Sequence, residues 1–259
     1  MGFYNLKKDS YHMLRDDQWE RIKDLLPGRA GTIGVTAKDN RLFFDAVLYR
    51  YRIGCPWRDL PSYFGKWSIV HTRFSRWAIS GVWLKVFKHL AADADNEYAM
   101  IDSSIVRAHQ HSSVAKKDRK AQAIGRSKGG LSTKINTVAD ALGNPTAFVL
   151  TPGQACDLDG SDKLLPGIEA KAILADKAYD AVERVIEPLL AAGKEIVIPS
   201  KKNRTEPRTF DKELYKARCL IENFFCKLKQ FRAIATRYDK TARNFLAAIQ
   251  LVSVTIWLN

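Results

Sequence analysis

The stretch DKELYKARCLIENFFCKLKQFR, residues 211–232, reads as one long helix with two working faces. At roughly 100° per residue, Leu214, Ala217, Ile221, Phe225 and Leu228 form an apolar stripe fit to lie on a sheet. Beside it, Tyr215, Arg218, Glu222 and Lys229 share a second stripe about 60° wide. A carboxylate flanked by two cations and a tyrosine thus lies along one edge of the buried face. Taken alone, an i,i+4 ion pair on a solvated surface accounts for Arg218 and Glu222 equally well.

Upstream, two short apolar runs end on aspartates. Residues 171–175 read as a strand closing on Asp176, and residues 97–101 as a buried run leading into Asp102. A carboxylate in an apolar strand is expensive unless something compensates it. In open α/β sheets the carboxyl edge of the strands is where ligands gather. Either aspartate alone reads as a turn or N-cap residue. Counted with Glu222, they make three carboxylates from separated segments of a basic chain, which points to hard divalent cations, with Mg2+ expected. Two such ions can activate an attacking oxygen and stabilise a leaving one in phosphoryl transfer. Arg218 and Lys229 are then placed for phosphate, the first through bidentate contacts and the second as a point charge.

Around these segments the order is strands, then a βαβ pattern, then helices. Residues 131–139 and 146–151 form a hairpin across Asp140-Ala-Leu-Gly-Asn144. A helix over 179–192 stops at Gly193, a strand follows at 195–199, and a last helix spans 242–258. A mixed sheet flanked by helices, of the α/β class, is the natural packing. Before the polar break DADN at 93–96, four helical patterns at 13–26, 39–53, 67–80 and 82–90 predict a small all-α, helix-turn-helix-like domain. The expected division is therefore a helical unit at 1–95 and a unit carrying the chemistry at 96–259. Within 67–77, Arg73 and Arg76 are candidate groove contacts, while Trp57, Trp67, Phe74 and Trp77 read mostly as core. Residues 112–130 carry Lys116, Lys117, Arg119, Lys120, Arg126 and Lys128 against Asp118 and read as a flexible loop able to close on phosphates.

The charge balance agrees: 42 Lys+Arg against 28 Asp+Glu, a net +14, favours a polyanionic partner, most often nucleic acid. Cys55, Cys156, Cys219 and Cys226 are scattered without a CxxC pair, which excludes a zinc ribbon or disulfide framework and fits a reducing cytoplasm. Cys219 and Cys226, flanking Glu222, read as space-filling. The stretch MGFYNLKKDSYHM lacks an apolar signal core, and Leu6 stands where a myristoylation motif needs Ser or Thr. Residues 245–258 are too short to span a bilayer and contain Gln250, so no membrane partner is expected. His109 and His111 fall at strand spacing on the face opposite Asp102, which argues against metal ligation.

Several motifs together carry a family resemblance. Tyr215-x2-Arg218-x3-Glu222-x6-Lys229 is similar to the Y-R-E-K signature of bacterial DDE insertion-sequence transposases. The run GRSKGGLSTKINTVADALGNPTAFVLTPGQACD (125–157) resembles the family-five group of these elements. So do ILADKAYD (173–180), MIDSSIVRAHQH (100–111), LRDDQWERIKDLLP (14–27) and GCPWRDLP (54–61), in the expected order over nearly the whole chain. The resemblance implies an RNase H-like catalytic domain with Asp102, Asp176 and Glu222 as the acidic triad. It also implies two Mg2+ ions, with Mn2+ able to substitute, and action as a homo-oligomer on double-stranded transposon ends and target DNA. A plain nuclease on the same fold would share the triad without strand joining. A DNA-binding regulator would have no use for clustered carboxylates beside DNA, where they repel phosphates.

Overall fold

Alternating and β-branched residues between 98 and 152 build the centre of a mixed sheet in the computed structural model, which describes residues 13–29, 31, 36–114 and 122–259. In chain order, α1 (Asp16–Lys23), α2 (Asn40–Ile53), α3 (Trp67–Ile79) and α4 (Val82–Ala91) come first. Then follow β1 (Tyr98–Ala108), β2 (Gly125–Ser127), β3 (Gly130–Ala139), β4 (Pro145–Pro152), α5 (Asp157–Leu164) and β5 (Ala172–Ala175). The chain continues through α6 (Glu187–Ala191), β6 (Glu195–Val197), α7 (Lys212–Tyr215), α8 (Cys219–Lys229), α9 (Arg232–Ala235), β7 (Thr236–Arg237) and α10 (Ala242–Trp257).

The main ladder runs β4–β3–β1–β5–β6, with β2 paired to the start of β3 and β7 to the end of β1. β1 and β4 are antiparallel to β3, whereas β1, β5 and β6 run parallel. This is the RNase H-like arrangement. Helices cover both faces. On one, Ile101, Ile173 and Ala175 pack with Leu164, Tyr179, Val185 and Leu189. On the other, Met100, Ile135 and Leu174 pack under Ile221, Phe224 and Leu228 of α8 and the buried α10. That second core runs on without a break into α1–α4: Phe87 meets Phe148 at 5.3 Å, and Phe148 meets Phe224 at 5.9 Å between ring centroids. Gln18 donates to the Leu258 carbonyl and Tyr51 to the Asp239 carboxylate, so polar bonds also cross from the helical segment.

Several local expectations are corrected. The helix over 211–232 is split: a 3-10 turn at Lys216–Arg218 separates α7 from α8. Since such a turn winds about 120° per residue, Tyr215 leaves the stripe on which a uniform helix places it, whereas Glu222 and Lys229 remain together on α8. The helix over 179–192 is a 3-10 turn at Lys177–Tyr179, a π turn at Val182–Ile186, and only then α6, with Pro188 as its second residue. Pro188 lacks an N–H and is tolerated only in a first turn. Within 112–130, residues 110–114 form a 3-10 turn and β2 folds back on β3; Lys116 and Lys117 lie outside the described residues. β1 ends at Ala108, so His109 and His111 are not strand residues. α5 went unforeseen. It packs so closely on β3 that a Cβ at Gly160 would come within 2.2 Å of the Asn136 Cγ.

Candidate active site

Register decides where the two aspartates meet. Ile101 of β1 pairs with Ala175 of β5 in parallel. Asp102 and Asp176 each follow that pair by one residue, Asp102 within β1, which runs on to Ala108, and Asp176 just past the carboxyl end of β5. Because side chains alternate along a strand, Asp102 shares the face of Met100, the face covered by α8. Asp176 caps the 3-10 turn after β5, its Oδ1 accepting from the Ala178 N–H at 2.8 Å. Glu222 reaches the same region from the first turn of α8, where a carboxylate also suits the helix dipole.

Arg218 ties two of these together. Its Nη1 donates to Asp102 Oδ2 at 3.0 Å and its Nη2 to Glu222 Oε1. The Asp102 side chain is 18% exposed and that of Glu222 56%. Burial pushes the Asp102 carboxyl above its ordinary pKa, and the charge of Asp176 adds to this. The Ser103 N–H, at 2.7 Å from Oδ1, and Arg218 pull the other way without prevailing. A half-buried carboxylate held up beside a second one is a charge arrangement that a cation relieves. Among the described residues no three acidic, histidine or cysteine side chains converge as a ready metal-ligand set. Between Asp102 and Glu222 the guanidinium supplies the positive charge. The chemistry of the donors Asp102, Asp176 and Glu222, all hard carboxylate oxygens, suits a divalent ion.

The other expected contacts divide. Tyr215 is half-buried, edge-on to Phe210 at 5.5 Å. Lys229 is exposed in the last turn of α8. Arg126 and Lys128 are exposed on β2 and the turn after it, and Arg76 is exposed on α3. Arg73, expected as a groove contact, is instead committed to packing: its guanidinium lies over Phe43 and Trp77 at 4.2 and 4.6 Å and donates to Asn40. Its side chain is the flat, weakly hydrated kind that stacks on rings at little desolvation cost. His109 stacks on Tyr238 at 4.8 Å with its ring 4.7 Å from His111, away from any carboxylate cluster. Cys219 and Cys226 are exposed rather than space-filling.

Two groups escaped the sequence reading. On the opposite face of β1, Ser103 Oγ and Lys134 Nζ both donate to Asp157 Oδ1, at 2.6 and 2.8 Å. The buried Tyr179 lies beside them; burial, then the charges of Asp157, Asp102 and Asp176, push its phenol up. Asp180, fully buried, is held by Arg204 and Arg208. Only the polar ends of otherwise apolar runs hinted at these residues, and their partners are too distant in sequence to leave a periodic signal.

With this geometry in view, two family descriptions match the chain. Residues 95–257 match "Transposase DDE domain", and residues 14–87 match "Putative transposase of IS4/5 family". "Uncharacterized protein y4sN" of Sinorhizobium fredii is 47% identical over 119 residues, covering 45% of this chain and 86% of that protein. "Putative transposase for insertion sequence element IS6501" of Brucella ovis is 37% identical over 131 residues, covering 49% of this chain and 99% of the other. Among solved structures, a piggyBac transposase synaptic complex with hairpin DNA superposes with a TM-score of 0.50 at 10% identity, over 93% of this chain and 69% of that one, a likeness of fold.

Proposed function

We propose, from the premise that this chain belongs to the DDE transposase family, that it binds the terminal inverted repeats of an insertion sequence and cuts and joins DNA at Asp102, Asp176 and Glu222. The observation that supports this reading is the β1–β5 register, whose last pair, Ile101 and Ala175, is followed on both strands by an aspartate, with Glu222 of α8 linked to Asp102 through Arg218. The family acts with divalent metal ions. Asp102, Asp176 and Glu222 would hold them, two Mg2+ with Mn2+ able to substitute, and the ions would supply activation of the attacking oxygen and charge stabilisation of the leaving one.

The chain's own residues position the DNA. Arg218 bridges Asp102 and Glu222 and presents a planar fork suited to one phosphodiester. Lys229, two turns along the same helix, can reach the next phosphates with its stem lying on α8. Tyr215, Arg126 and Lys128 extend the backbone track, together with Lys116 and Lys117. In the helical segment Arg76 faces outward for end recognition. Residues 1–95 take the ends, residues 96–259 carry the chemistry, and copies of the chain assemble on paired ends. Strand joining separates this reading from that of a plain nuclease on the same fold.

The test is cleavage and joining of DNA carrying the element's ends in Mg2+, resolved on a gel for nicked, hairpin and joined species. Asp102→Asn, Asp176→Asn and Glu222→Gln should each abolish both reactions, since near-isosteric amides remove metal affinity without opening cavities. Melting temperature and DNA binding should persist. Near-wild-type cleavage by any one variant would remove that residue from the triad, and cleavage without joining by the parent chain would favour the nuclease.

A further inference from the structure

The short parallel strands β5 and β6 end at the same edge of the sheet, level with Asp102 in the longer β1, and two connections leave it there. The first carries Asp176. The second is the irregular segment 198–211 between β6 and α7, to which the site described above assigns nothing. Between residues 201 and 208 it holds Lys201, Lys202, Arg204 and Arg208 against Glu206.

A run of this kind in an irregular segment is ordinarily solvated and conformationally loose. Here it is fastened at three points. Asp180 Oδ2 accepts from the Lys201 N–H at 2.8 Å and from Arg204 Nε at 2.7 Å. Its Oδ1 accepts from Arg204 Nη2 at 2.8 Å and from Arg208 Nη2. Further along, Arg208 N donates to Ser200 Oγ at 2.9 Å, and the ring of Phe210 meets Tyr215 of α7. The Asp180 carboxylate is fully buried yet accepts four hydrogen bonds from this segment. Burial alone would raise it, but the bonds from Arg204, Arg208 and the Lys201 N–H hold it well below the ordinary carboxylate range. Asp180 is joined to Asp176 by a single 3-10 turn, closed by the Asp180 N–H on the Lys177 carbonyl at 3.2 Å. The clamp therefore fixes the segment beside the second aspartate. One buried charge cannot neutralise four cations: counting Asp180 and Glu206 against them leaves two in excess, and Lys201 and Lys202 are exposed and make no bond to the clamp through their ammonium groups.

We propose that residues 199–210 form a second surface for the backbone of duplex DNA, contacted through Lys201 and Lys202, and that Asp180 is the positioning residue that holds this surface at the active edge. The proposal rests on the transposase reading and deepens it, by naming where the DNA next to the scissile phosphate is gripped. Phosphodiester is the chemistry that recognises such a surface, and each phosphate neutralised by a lysine releases counterions, so the contact leaves a mark in the salt dependence of binding.

The experiment uses the full chain, a labelled duplex of arbitrary sequence and a chelator, so that binding is read without cleavage. Affinity is measured across salt concentration for the parent, for Lys201→Ala/Lys202→Ala, for Lys201→Arg/Lys202→Arg and for Asp180→Asn, each with its melting temperature. The alanine pair should melt like the parent, bind about tenfold or more weakly at low salt, and lose roughly two units of slope in log K against log salt, near 0.9 per phosphate contact. The arginine pair should restore both. Asp180→Asn should weaken binding while remaining folded, with a slope close to that of the alanine pair. A parent with a steep slope and an alanine pair indistinguishable from it would overturn this proposal and leave the transposase reading intact. A parent with no salt-dependent binding would bring down both.

Discussion

Asp102 and Asp180 are both aspartates beside arginines, one half-buried and one fully buried, and they answer to burial in opposite ways. Asp102 receives one bond from Arg218 and one from the Ser103 N–H, too little to offset its desolvation beside Asp176, so its carboxyl is pushed up. Such a group costs stability for the sake of what it can bind, which is the usual balance at a reacting centre. Asp180 has two arginines and a backbone N–H, and its pKa is depressed. A carboxyl whose folded pKa lies below its unfolded value of about 3.9 contributes stability that is fully present above that value and is lost as pH falls toward the folded one. At pH 7 Asp180→Asn should therefore lose on the order of 3 kcal/mol, the range for removing one partner of a buried ion pair. Melting of parent and variant side by side should show a gap that is flat above about pH 5 and closes as pH drops below about 4. A gap that stays constant down to the acid limit would mean that shape, not charge, is what Asp180 supplies.

At the level of elements, those with a strong period were legible and those set by tertiary partners were not. β3 and β4 announce themselves by alternation and the Asp140–Asn144 turn, and α10 by its apolar length; all three were read to within a residue or two. The approach of Asp102 to Asp176 was legible as well, because two apolar runs each ended on a carboxylate. The break at Lys216–Arg218 was not, since nothing in KAR opposes an ordinary helix; the turn ends on Arg218, whose partner Asp102 on β1 is distant in sequence. Arg73 was misread because a cation on a helix looks the same in sequence whether it faces water or a tryptophan. α5, DLDGSDKL, offers eight residues with a glycine in the middle, poor helix material by propensity. Gly160 is there for space: Asn136, its neighbour on β3, is fully buried and bonded to the Val149 carbonyl and Thr151 hydroxyl, so it cannot swing away. Gly160→Ala should accordingly cost about 1–3 kcal/mol, the usual price of overpacking, despite alanine's better helix propensity. A variant that melts at or above the parent would show that α5 can shift off the sheet freely.

For the whole molecule, the question is whether the polar break at 93–96 divides two separable bodies. Family matches fall on either side of it, at 14–87 and 95–257, and the change in texture from helical to stranded sequence is real. The apolar core, however, does not stop there. Phe44, Trp83, Phe87 and Leu90 belong to the same buried cluster as Phe224, Leu228, Phe245 and Leu251. α4 lies on α10, and Tyr51 of α2 bonds to Asp239 next to the buried Arg237. Removing residues 1–95 would bare one side of α10 and the Phe148–Phe224 pair, several large side chains at about 1.5–3 kcal/mol each. Against a net stability of roughly 5–15 kcal/mol for a domain, that loss is decisive. Residues 96–259 expressed alone should therefore lack a cooperative melt, bind a hydrophobic dye and associate, so a division of labour between end recognition and chemistry has to be probed in the full chain, for instance at Arg76. The comparison is a thermal melt by circular dichroism with dye binding, fragment beside parent at equal concentration. A fragment that melts cooperatively within a few degrees of the parent would show the shared core to be a docked interface between two bodies, each able to stand alone.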